Sequence, residues 1–267
     1  MKSHEIDRNK SYSEGEHGMG LLDLFKKKNA EQAKQANDQA NENANDQSND
    51  KANNKTNDKV NKEEKVETAG WDAIEAEFLR VYPTQEKPVH HYGTLIKWIF
   101  GGNDPLDGIS IYDGGTYWHF VSFGLSEIYG KESDDKEVSG YGYELTLKLK
   151  KYDFEDEEAE LKNICGILQA IARITFTKGE IFLPNEFIYT GQQTGMDAKQ
   201  KSNLTGFITI ADTSVQAIDT PNGRVEFLEL IGMTDAELKT LSNKASVMEL
   251  YEKLGSDLTD YHRESLA

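Results

Sequence analysis

The residues able to do chemistry are few and scattered. Asp104-Pro105-Leu106-Asp107-Gly108 places two carboxylates three residues apart, and hard cations favour clustered oxygens. Asp before Pro and Asp before Gly are equally ordinary turn builders. His90-His91 and His119 supply imidazoles, and His119 shares a strand face with Tyr117, Val121 and Phe123. Asp104, Asp107 and His119 together would make a metal-dependent enzyme, the least favoured of three readings. A hydrogen-bonded core histidine fits His119 better. Gly101-Gly102-Asn103-Asp104 lacks the Lys-Ser/Thr of a phosphate loop, and no G-x-G-x-x-G opens a helix. Ser110, Ser122 and Ser126 sit in no G-x-S-x-G elbow. Cys165 is the one cysteine and lies on an apolar stripe, as a small buried hydrophobe does. No catalytic, metal or cofactor constellation emerges from the residues.

These groups need elements to hold them. Trp71, Ile74, Phe78 and Tyr82 recur at helical spacing, so a helix is predicted over 70–82, stopped by Pro83. Leu95 to Phe100 reads as a short buried strand ending at Gly101-Gly102. Gly108 to Tyr112 alternates like a half-buried strand. Asp113-Gly114-Gly115 turns it into a returning strand over Tyr117 to Phe123. Tyr143 to Lys150 alternates strictly, predicting one core face and one wet face. The acidic run from Asp153 opens a helix with its carboxylates at the positive end of the dipole, and Lys178-Gly179 closes it. Gly206 to Ala211 is a strand. Thr220-Pro221-Asn222-Gly223 is a turn into a mostly buried strand over Arg224 to Ile231. Thr234-Asp235-Ala236-Glu237 and Ser246-Val247-Met248-Glu249 read as capping boxes, with Gly255 ending the last helix. The expected class is α+β, with mixed or antiparallel sheets and packed helices.

Composition divides the chain near residue 66. Asn29 to Lys62 holds ten Asn and four Gln in 34 residues, with Val60 its only large aliphatic. Such a segment cannot offset the entropy of ordering, so residues 1–66 are expected to be a disordered tail and 67–267 the domain. Lys and Arg total 30 against 47 Asp and Glu, a net −17. Residues 1–66 hold 12 and 13 of these, leaving 18 against 34 on residues 67–267. An acidic domain repels phosphate backbones, which disfavours nucleic acid as a partner. One cysteine excludes an intramolecular disulfide framework. No apolar run reaches the roughly 20 residues of a membrane helix, and a soluble cytoplasmic protein is expected. Met19-Gly20-Leu21-Leu22-Asp23-Leu24-Phe25-Lys26-Lys27-Lys28 reads as a bacterial protein start, so residues 1–18 are expected to be a translated leader or a genuine extension. Leu21, Leu22, Leu24 and Phe25 are also expected to offer a small docking or membrane-touching patch.

Three blocks carry a resemblance. They are Gly101-Gly102-Asn103-Asp104-Pro105-Leu106-Asp107-Gly108-Ile109-Ser110-Ile111-Tyr112, Trp118 to Gly130, and Ser139-Gly140-Tyr141-Gly142 running through Lys150. An echo follows in Thr220-Pro221-Asn222-Gly223-Arg224. Order and spacing resemble the suppressor-of-fused domain family over roughly 70–255. The resemblance implies a non-catalytic binding domain without cofactors. Its single-domain bacterial members are similar to immunity proteins that neutralise secreted toxins by direct binding. It implies Tyr129 as a peptide-contacting residue. An acidic contact is implied before the Ser-Gly pair, where Lys136 or Glu137 stands. Asp134, Asp135, Tyr141 and Glu144 complete the expected partner face, alongside the acidic cluster from Asp153 to Glu158. Gly101, Gly102, Asp104, Pro105, Asp107, Gly108, Trp118, His119, Gly140, Pro221 and Gly223 are expected framework positions. The expected partner is a cognate toxin with a basic surface. The alternative is a peptide adaptor that adds a strand at an exposed edge near Tyr141 to Lys150.

Overall fold

The computed structural model describes residues 68–267. The expected tail, the Met19 start and the Leu21–Phe25 patch lie outside the described residues. The chain runs α1 (Ala69–Val81), β1 (His90–Gly93), a 3-10 turn (Trp98–Phe100), β2 (Gly108–Asp113), β3 (Tyr117–Phe123), β4 (Val138–Lys150) and α2 (Glu157–Lys178). It continues with β5 (Phe187–Ile188), β6 (Leu204–Ala211), β7 (Ile218–Thr220), β8 (Gly223–Thr234), α3 (Asp235–Leu238) and α4 (Lys244–Leu254). One mixed eight-stranded sheet has the order β1-β2-β3-β4-β8-β6-β5, with β7 paired to β8. β4 and β8 are parallel; the other ladders are antiparallel.

Both sheet faces are covered. On one, the odd residues of β4 (Tyr143, Leu145, Leu147, Leu149) meet the apolar side of α2 through Leu161, Ile164, Cys165, Leu168 and Ile171. Asp156 caps α2 by accepting from the Ala159 amide, and three Glu occupy its first turn, where the dipole favours negative charge. Burial pushes the Cys165 thiol up to about 12, as suits an inert core cysteine. On the other face, α1 lays Ile74 and Phe78 onto Tyr112, Val121, Phe123 and Phe227. α3 and α4 cover Ile208, Ile210, Ile231 and Met233 farther along.

Between these two apolar clusters lies a polar seam. The alternation of β4 predicts a wet even face, yet Glu144, Thr146 and Lys148 are 0%, 0% and 1% exposed. The correction has a physical cause: β4 is central in the sheet, and its second face is roofed by other elements. Lys148 Nζ reaches Asp257 at 2.7 Å, Glu229 at 3.0 Å and Asp212 at 3.4 Å. Asp212 also accepts from Thr146 at 2.7 Å and faces His119 Nε2 at 2.9 Å. Burial holds His119 below its ordinary value. A neutral ring donates from Nε2 to the Asp212 carboxylate, so its Nδ1 accepts the Tyr82 hydroxyl at 2.8 Å. Burial pushes Glu229 well above the carboxylate range, reinforced by the nearby Asp212 charge. Asp212 is held low despite burial, by His119 and Lys148.

Three further expectations change. Gly108 to Tyr112 is buried throughout rather than on alternate residues. The last capping box uses Asn243 as cap, with Ser246 three residues on, so α4 begins two residues before Ser246. Tyr141 to Lys150 is no free edge. β4 pairs with β3 and β8, and the 124–130 segment covers its first half through the Tyr141 N–H bond to Leu125. Among the described residues, the strands paired on one side only are short: β1, with four residues, β5 and β7.

Candidate protein-binding surface

Leu95 to Phe100, expected as a buried strand, is the most exposed apolar segment described. Leu95 is 99% exposed, Ile99 78%, Phe100 76% and Ile96 61%. The run cannot extend as a strand, because it closes on itself. Phe100 and Gly102 amides donate to the Lys97 carbonyl, and Gly101 donates to Trp98. Trp98 turns inward onto Phe176, 5.8 Å between centroids, and Tyr141 meets the same ring at 5.2 Å. The apolar residues between are left as a ridge. A Cβ at Gly102 would lie 1.9 Å from the Ile96 carbonyl oxygen, so only glycine lets the turn close. Gly102→Ala is therefore expected to open the turn while the core stays intact. Hydrogen exchange should quicken at the Phe100, Gly101 and Gly102 amides, with the thermal midpoint little changed.

A buried-side clamp braces the ridge. Lys97 Nζ donates to the Tyr129 hydroxyl at 2.7 Å and pairs with Asp107 at 2.8 Å. Tyr129 donates to Asp107 at 2.7 Å, and Lys97 also lies 4.0 Å from the Tyr129 ring centroid. Burial works against the Lys97 charge, but Asp107 and Tyr129 outweigh it and hold the ammonium above its ordinary value. The framework glycine-aspartate block thus has a local purpose. Asp104 pairs with Arg173 at 2.8 Å, Leu106 inserts into the core, and Asp107 reaches Tyr129. Asn222, in the Pro221-Gly223 turn, donates to the carbonyls of Glu127 and Tyr129 at 2.6 and 2.8 Å. That contact spans 93 residues, so Asn222 and Lys97 had no local sequence signal beyond their own turns.

Beside Tyr129 runs an exposed acidic loop carrying Glu132, Asp134, Asp135 and Glu137. Its base is Glu127, which accepts from Lys131 (2.7 Å) and from the amides of Glu132 (2.8 Å), Ser133 (2.5 Å) and Gly140 (3.1 Å). Gly140 sits at φ +57 with no room for a Cβ, 2.8 Å from the Leu125 carbonyl. Burial opposes the Glu127 charge, yet these donors hold its carboxyl down at about 2. A lowered folded value means this support is complete above the ordinary 4.5 and is lost as pH falls towards 2. Protection factors at Glu132, Ser133 and Gly140, taken against the intrinsic exchange rate at each pH, are expected to fall across that window, and pH-independent protection would contradict the assignment.

The remaining expected residues separate into surface and frame. Tyr129 touches the ridge through Lys97 and Tyr141 through the Phe176 ring, Asp134 and Asp135 are exposed on the loop that follows Tyr129, and Glu144 is fully buried and cannot meet a partner. Glu144 accepts from Ser122 (2.5 Å), the Gly124 amide (2.9 Å) and both donors of Ser126 (2.9 and 2.7 Å). Burial raises its pKa and these bonds oppose the rise. Trp118 donates to Glu157 of α2 at 3.1 Å. Asp104, Asp107 and His119 are each engaged elsewhere and are not brought together. No cluster of three metal-ligating side chains occurs among the described residues. A recess of ≈ 390 Å³ lies between the 152–160 and 197–202 segments and Tyr261-His262, its walls mixing carboxylates with Lys199, Lys201 and aromatic rings.

A mixed eight-stranded sheet with helices on both faces is the architecture of suppressor-of-fused domains. The family profile for Suppressor of fused protein (SUFU) matches residues 102–264. The human and mouse Suppressor of fused homologs are each 30% identical over 196 residues, 68% of this chain and 39% of theirs. The Sufu-Fu complex crystal structure superposes with a TM-score of 0.64 at 30% identity, covering 74% of this chain and 92% of that one. Drosophila Suppressor of Fused gives 0.63 at 30% identity, covering 74% and 51%. The chain belongs to the suppressor-of-fused family, and it spans 39% of the length of the curated relatives it matches. No helix among the described residues is long and apolar enough to cross a membrane.

Proposed function

We propose that this chain is a non-catalytic protein-binding domain that acts as an immunity protein, neutralising a cognate toxin by direct contact. The single observation that carries the reading is the ridge of Leu95, Ile96, Ile99 and Phe100, held out by the Lys97–Tyr129–Asp107 clamp. Apolar side chains at such exposure, rimmed by charge, mark interaction sites. The excess of 34 acidic over 18 basic residues on 67–267 supports a partner with a basic surface, such as a nuclease domain. Opposite charge would steer encounter and speed association. Family membership supports the binding class, since one relative was crystallised as a Sufu–Fu complex. The test is co-expression with the toxin encoded by the neighbouring gene. Rescue of growth, co-purification and an association rate that falls as salt rises are expected; no rescue together with no co-purification would overturn the reading. A second reading, a peptide adaptor, is favoured by the one-sided pairing of β1, whose free edge could take an added strand. A peptide array separates the two: the adaptor predicts many weak extended ligands.

A further inference from the structure

We infer that the ridge has an occupant within the same chain: the segment Leu21–Lys28 docks on it and must be displaced when a partner binds. This rests on reading the ridge as a binding surface. Four observations point to that segment. Among the 67 residues before the described domain, Ile6, Tyr12, Val60 and Val66 stand singly, whereas Leu21, Leu22, Leu24 and Phe25 make the densest run of large apolar side chains. Their spacing suits a short apolar contact, matching a ridge of four exposed apolar residues rather than an extended groove. The chain joins the domain beside the ridge. The Trp71 amide donates to Ile128, whose neighbour Tyr129 holds Lys97 at 2.7 Å, and the Trp71 and His91 rings are 5.5 Å apart where β1 leads into Leu95. The 39 residues between Lys28 and Thr68 span at most about 130 Å, so reach is no obstacle. Tethering makes the contact intramolecular, with an effective concentration of order mM, which offsets the weakness of so small a patch.

Charge agrees with the placement. Lys26-Lys27-Lys28 follows the apolar residues directly, and the loop beside Tyr129 exposes Glu132, Asp134, Asp135 and Glu137 against Lys136 alone. With the apolar part on the ridge, the three lysines meet that loop. The pairing also explains why an apolar surface is tolerated on an isolated domain: its cover is carried on the same polypeptide. A partner then competes with an internal ligand of low affinity, so only a surface that matches the ridge better than Leu21–Lys28 is held.

The experiment uses the full chain with a spin label on Lys28→Cys. Cys165 is buried, its thiol held at about 12, and stays unlabelled. Loss of most amide signal is expected over residues 94–101 and 131–137, with the α2 and α4 amides unaffected. Adding Leu22→Asp and Phe25→Asp should restore those signals without moving the core resonances. Uniform signal along the domain would overturn the inference. So would broadening in a mixture where the label sits on one copy and the isotope on another, because the occupant would then be a second chain. A protein that shows the broadening but binds no toxin retains this inference and fails the immunity reading; the reverse outcome keeps that reading alone.

Discussion

Lys148→Met is expected to destabilise the full chain by about 3–5 kcal/mol, the cost of leaving buried charge without its partner. Lys148 is 1% exposed and is the cation shared by Asp212, Glu229 and Asp257. Methionine fills the same space and keeps the aliphatic contacts, so the loss reports electrostatics rather than a cavity. The pH dependence has a definite sign. Asp212 and Asp257 have lowered folded values, so their pairing contributes above the ordinary carboxylate range and fades as pH falls. The gap between Lys148→Met and the natural protein should therefore be widest near neutrality and narrow on acidification. Glu229 behaves oppositely. Its raised value means its ionisation weighs against folding as pH rises, and its Oε1 has no partner among the described residues. Lys148→Met combined with Glu229→Gln is expected to regain part of the loss, a coupling of roughly 0.5–3 kcal/mol between touching residues. Urea unfolding of the four proteins from pH 4 to 8 checks it; additive effects, or a gap that widens in acid, would contradict the seam's proposed balance.

This seam shows where sequence reading stops. The period-two pattern of β4 correctly reports a strand and its apolar face. It cannot report what lies over the polar face, because the cover is not local: Ser122 to Ser126 close over Glu144, while Asp212, Thr213, Glu229 and Asp257 close over Thr146 and Lys148. Polar residues on a strand are read as wet unless their partners are known, and here the partners are other buried polar residues. The same blindness runs the other way at Leu95–Phe100. Apolar content says interior, but the Gly102 contact with the Ile96 carbonyl forces a turn that leaves those side chains outside. Local signals survived well where the physics is local. Thr234 caps its helix, Gly179 and Gly255 end theirs, and β3 spans the residues its turn and its β-branched and aromatic content predict. The resemblance implies Tyr129 as a partner contact, and its surroundings supply a separate, structural reason for tyrosine: the hydroxyl joins Lys97 to Asp107 while the ring carries the Lys97 cation.

Phe100→Asp is expected to weaken partner binding by at least about 2 kcal/mol, some 30-fold in Kd, while changing stability by no more than about 0.5 kcal/mol. The two magnitudes follow from the same observation. Phe100 is 76% exposed, so folding gains little from it, whereas a partner closing over the ridge would bury most of its ring. An aspartate there adds a charge that must be desolvated in the complex, and a basic partner could answer that charge only at the rim. Leu95→Asp, at 99% exposure, should act in the same direction with even less effect on folding. Tyr129→Phe gives the internal comparison. It keeps the aromatic ring but frees Lys97 and Asp107 from their shared hydroxyl, so it should weaken binding less than Phe100→Asp by loosening the ridge rather than removing a contact. Calorimetric titration beside thermal unfolding separates these cases. Full affinity in Phe100→Asp and Leu95→Asp alike would move the binding face off the ridge. The charged, aromatic-walled recess beside Tyr152 and Tyr261 would then become the next surface to substitute.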